Sequence, residues 1–112
     1  MQILTGTTIR NFKIIRERLG MGKSNCPIFD VQIDGSYIDD DLIVIAKKVV
    51  ETVKRKVKAV AVFYWYKGQH VGRESAMAAV DFAPDGKWEN RFNVKAGDYT
   101  SHKFEVVYNE TE

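Results

Sequence analysis

The chain has 112 residues, of which 45% are hydrophobic and 29% charged, a globular balance that excludes a disordered or fibrous polypeptide and leaves room for one hydrophobic core. Its formal charge of +2 is too small to imply a nucleic-acid partner by itself, and a single cysteine, Cys26, excludes an internal disulfide framework. No apolar run approaches the ~18 residues that span a bilayer, so no membrane partner is expected. The opening residues lack the basic and long apolar regions of a signal peptide. A soluble cytoplasmic protein of one domain, residues 1–112, is the expectation.

Residues 7–19 place Phe12 and Ile14 two apart, as in a strand, although Ile9, Phe12, Ile15 and Leu19 would also suit a short helix. Next comes "RLGMGKSN", whose Gly22-Lys23-Ser24 resembles the end of a phosphate-binding loop. Such a loop needs a glycine at position 17, which is Glu17, and a helix immediately afterwards, which Asn25-Cys26-Pro27 opposes. The stretch is therefore expected to be a glycine-rich hairpin turn. In "CPIFDVQIDG", Phe29, Val31 and Ile33 alternate with Asp30 and Gln32, a half-buried strand.

Residues 39–58 predict an amphipathic helix. Asp39, Asp40 and Asp41 stand at its start, where carboxylates are favoured, and Lys54, Arg55, Lys56 and Lys58 crowd its other end. Leu42, Ile45, Ala46, Val49, Val50, Val53 and Val57 fall on one arc, and Lys47, Lys48, Glu51, Lys54, Arg55 and Lys58 on the other. "AVAVFYWYKG", residues 59–68, is apolar on both faces, as a central covered strand should be. Residues 74–86 alternate again, with Ala76, Ala78, Val80 and Phe82 on one face, and end in a Pro84-Asp85-Gly86 turn. Residues 87–98 suggest a short edge strand at "KWENRFNV"; residues 100–108 alternate as a last strand, and 109–112 should fray.

The expected fold is thus α+β in two layers, one helix packed on a mainly antiparallel sheet of four or five strands in the order β-β-α-β-β-β. No spacing of histidine and cysteine suits a metal, no cofactor motif is present, and no catalytic residue is assigned. Three functions remain. The first is a non-enzymatic binding module whose partner is another protein or a second copy of itself. Its contact groups would be Tyr64 and Tyr66 in "FYWY", Trp88, and the basic helix arc of Lys47, Lys54, Arg55 and Lys58. The second is a nucleic-acid-associated protein that sets those four cations against phosphate. The third is a small enzyme built around Asp81 and His102, Asp81 being a carboxylate among small apolar residues whose pKa burial could shift.

One segment also carries a likeness. The strand-loop-strand stretch from Lys58 to Asn90 closes in Ala83-Pro84-Asp85-Gly86-Lys87-Trp88. It resembles a family of small prokaryotic α+β domains of unknown function whose corresponding strand ends in "A-P-x-G-x-W". The likeness covers roughly residues 38–90. It implies a strand, a turn and an aromatic anchor, and it transfers no catalytic residue.

Overall fold

In a computed structural model the chain is described over residues 12–19, 26–35, 37–69 and 76–108. Two strands, β1 (Phe12–Leu19) and β2 (Pro27–Ile33), precede the helix α1 (Asp39–Glu51). Three follow: β3 (Val60–Tyr66), β4 (Ala78–Pro84) and β5 (His102–Tyr108). The order is the expected one, and the strands form a single five-stranded sheet arranged β1-β2-β3-β4-β5. Every neighbouring pair is antiparallel except β2 and β3, which run parallel because α1 crosses over between them. No helix among the described residues is long and apolar enough to cross a membrane.

The helix covers one sheet face and fixes where the core lies. Leu42, Ile45, Ala46 and Val49 pack on Phe29, Val31 and Ile33 of β2, Val60, Val62 and Tyr64 of β3, and Ala78 and Val80 of β4. The strand alternation seen in the sequence is what aligns these side chains. Asp41 closes the helix start by accepting a hydrogen bond from the Ile38 amide, 3.1 Å.

Two local expectations fail. The helix ends at Glu51, not Lys58: Thr52 turns its hydroxyl back to the Val49 carbonyl, 2.6 Å. The chain then runs irregularly to β3, and the Val57 amide donates to the Tyr99 hydroxyl instead of to a helical carbonyl. Residues 88–93 form a 3₁₀ turn rather than an edge strand. Trp88 packs back onto Cys26, Ala59 and Ala83, and Asn90 donates to the Pro84 carbonyl, so the segment curls onto the end of β4.

The segment 20–25 and the tail 109–112 lie outside the described residues, as does 7–11 of the first expected strand. The phosphate-loop reading fails all the same, because Pro27 opens a strand paired antiparallel with β1, where a phosphate loop needs a helix.

Candidate functional site: the sheet face opposite the helix

A bulge decides which β1 side chains reach this face. Phe12 and Ile14 pair with Ile33 and Val31 on the helix side, but the register then shifts between Ile14 and Arg16. The extra residue reverses the alternation. Arg16 comes to lie opposite Asp30, and Arg18 opposite Ile28, on the face away from the helix.

Strand pairing carries that face across the sheet in rows. One row reads Arg18, Ile28, Ala61, Asp81, Glu105; the next reads Arg16, Asp30, Phe63, Ala79, Val107. Lys13, Gln32 and Trp65 begin a third. The surface is apolar in its middle and cationic along the β1 margin, while the β5 margin carries Glu105 in the first row and Val107 in the second.

Asp30 is the best-defined group on it. Its side chain is 0% exposed, yet both oxygens are engaged. Arg16 Nε donates to Oδ2 at 2.6 Å; Arg18 donates from Nε to Oδ2 at 2.8 Å and from Nη2 to Oδ1 at 3.1 Å; Trp65 Nε1 donates to Oδ1 at 2.9 Å. Burial alone would raise this acid, but the hydrogen bonds from Arg18, Arg16 and Trp65, with the charge of Arg18, hold it below the usual carboxylate range. Arg18 also lies over the Phe63 ring, 5.1 Å from its centroid. Both guanidinium groups keep N–H donors facing outward, since each side chain is between a third and a half exposed.

Asp81, two strands away on β4, is the opposite case. Burial and the Glu105 carboxylate directly across the strand pair push it up to about 6, against the pull of Arg91. Glu89 adds to the rise. Nearby cations are engaged elsewhere: Lys87 Nζ lies 3.5 Å from Glu105, while Arg91 donates to the Trp88 carbonyl and stacks on Trp88 and Phe92.

The groups expected from the sequence are scattered. Tyr64 is corrected from contact residue to core: it is fully buried beneath α1 and donates its hydroxyl to the Leu42 carbonyl, 2.5 Å. Tyr66 is 41% exposed, on the helix side of the sheet. It is Phe63 and Trp65 that face away from the helix, and Trp65 is 3% exposed. Trp88 is half-buried over Cys26, Ala59 and Ala83. Its turn is tight. Asp85 and Gly86 both take positive φ, and a Cβ on Gly86 would stand 3.0 Å from the Glu105 side chain.

The basic arc does not form. Lys47 is on α1, over the Phe104 ring at 5.8 Å, but Lys54, Arg55 and Lys58 fall after the helix. Arg55 is paired with Glu17 at 2.7 Å. Asp81 and His102 do not meet either, since alternation puts them on opposite faces of the sheet. His102 donates Nε2–H to the Lys58 carbonyl, 2.7 Å, and packs against Phe82 and Tyr99. Among the described residues no group of three or more His, Cys, Asp or Glu is arranged to hold a metal ion.

The Asp30 cluster escaped sequence reasoning because its members are 12, 14 and 35 residues from Asp30. A signal was present: a strand apolar on both faces, 59–66, requires a second covered face. No protein family, curated protein or solved structure matches the chain, so the likeness rests on its motif alone.

Proposed function

We propose that this chain is a small binding module that acts by burying the helix-free sheet face against another protein surface. The observation that carries the reading is the make-up of that face. Ile28, Phe63 and Ala79 are only partly covered, Val107 is 43% exposed, and the arginines at the margin hold spare donors. An apolar middle with a polar rim is the ordinary anatomy of a protein interface. Binding is favoured over catalysis because Asp81 and His102 face opposite ways, and over nucleic acid because only Lys47 of the four expected cations lies on α1 and Arg55 is paired with Glu17. A cytoplasmic location belongs to the same reading, supported by a lone, buried cysteine that suits a reducing compartment.

The test is association of the wild-type chain, with itself or with protein captured from cell extract, compared between two variants. Ala79→Arg alters the helix-free face, and Val44→Arg alters an exposed position on α1. Loss with Ala79→Arg and retention with Val44→Arg is expected. Association that survives Ala79→Arg refutes the reading.

A further inference from the structure

We propose that the occupant of this face is the same face of a second copy of the chain, related by a two-fold axis parallel to the strands and lying between β2 and β3, so that Arg18 of each copy meets Asp81 of the other. This rests on the binding-face reading above and adds to it an occupant and a geometry.

The argument begins with one row. Arg18, Ile28, Ala61 and Asp81 are successive register partners from β1 to β4, so they stand at one level across the sheet. One end of the row has spare guanidinium donors; the other has a carboxylate with no hydrogen bond or ion pair of its own among the described residues. Within one chain the two cannot meet, because three strand spacings amount to about 14 Å. Between two copies they can. A two-fold axis along the strands keeps each row at its level while exchanging its ends. β1 then lies over β4 of the second copy, and Ile28 over Ala61. Stacked sheets whose strands stay nearly aligned are a common packing mode.

Other arrangements of two copies set like against like. An axis across the strands lays β1 over β1, arginine over arginine. Edge-to-edge pairing is opposed at both margins. β1 is bulged and bears Lys13, Arg16 and Arg18. An antiparallel β5–β5 pair centred on Glu105 would put two glutamates side by side. Trp88 of the 3₁₀ turn lies over Cys26, Ala59 and Ala83 at one end of this face, so the contact between the copies is made by the rows beyond it.

The experiment is sedimentation equilibrium of the full chain over micromolar to submillimolar concentration, with circular dichroism to confirm folding. Asp81→Arg alone and Arg18→Glu alone should each weaken self-association by about tenfold or more, since both symmetric contacts become repulsive. An equimolar mixture of the two should restore the dimer, because each variant then supplies what the other lacks. Asp81→Asn is the milder arm, expected to weaken association without introducing a charge, should Arg18→Glu disturb the Asp30 cluster. A structural fault cannot be repaired by mixing two faulty chains, so recovery identifies the contact. If the wild-type chain dimerises and Ala79→Arg abolishes the dimer while the charge variants and their mixture change nothing, the two-fold arrangement falls and the binding face stands. A wild-type chain that is monomeric throughout the range overturns the second copy as occupant, and capture from extract then judges the face separately. A dimer indifferent to Ala79→Arg defeats both.

Discussion

The two faces of this sheet are built from the same strands and solve burial differently. Toward the helix, Val31, Val62, Tyr64 and Val80 make an apolar core in which the buried Tyr64 hydroxyl is satisfied by a helix carbonyl. On the other side, burial is reached with ions. Asp30 is as inaccessible as any core valine, and two arginines with an indole make that tolerable. Apolar packing holds α1 to the sheet; charge organises the face opposite. The contrast teaches that burial alone does not locate the core.

The largest effects should come from removing each face's own support. Arg16→Ala with Arg18→Ala strands the Asp30 carboxylate, and a loss of about 3–5 kcal/mol in urea unfolding is expected. A loss under about 1 kcal/mol would mean that the cluster is ornamental and the faces are less different than they look. Leu42→Ala opens a cavity between α1 and the sheet and should cost about 3 kcal/mol by the same measurement. Tyr64→Phe removes a single hydrogen bond and should cost about 1 kcal/mol.

The smallest effect sharpens the comparison through pH. Asp81 has a folded pKa raised to about 6 from a usual 3.8. The fold therefore favours its protonated form. Asp81 contributes a stabilisation that grows as pH falls from about 6 to about 4 and is lost as pH rises through 6. Asp81→Asn should flatten stability across that window and gain about 1 kcal/mol at neutral pH, once solvent screening is allowed for. Asp30 runs the other way. Its folded pKa is depressed, so its contribution is present above the ordinary aspartate range and disappears on strong acidification. Two aspartates on one face thus titrate with opposite signs. Thermal melts of Asp81→Asn and wild type at pH steps from neutral to acid would separate them; identical pH profiles would remove Asp81 from the account.

The element order was legible because it rests on local pattern. Alternation in 27–33 and 102–108 and the three aspartates before Leu42 each announce their element within a few residues. What escaped was settled at long range. The apolar period continues through Val53 and Val57, yet the helix stops, and the Val57 amide finds its partner 42 residues away at Tyr99. "KWENRFNV" has a strand-like composition, but Trp88 folds onto Cys26 and Ala59, which no neighbour in sequence foretells. At the site, Tyr66 and Phe63 were distinguishable only once the helix had chosen its side of β3. Asp30 looked like an outward polar residue because alternation gives the direction of a side chain and says nothing of what covers it.

The extra residue between Ile14 and Arg16 has an outcome larger than its size. It makes β1 a strand with two phases, its first half feeding the hydrocarbon layer and its second half feeding the ionic one. If the full-length strand paired without the bulge, strict alternation would carry both arginines with Phe12 and Ile14 to the helix side, where the opposing surface is valine, isoleucine and tyrosine. A deletion at the bulge, by contrast, leaves Arg16 next to Ile14 and still opposite Asp30. The bulge is therefore where β1 can lose a residue and keep its ionic half in place.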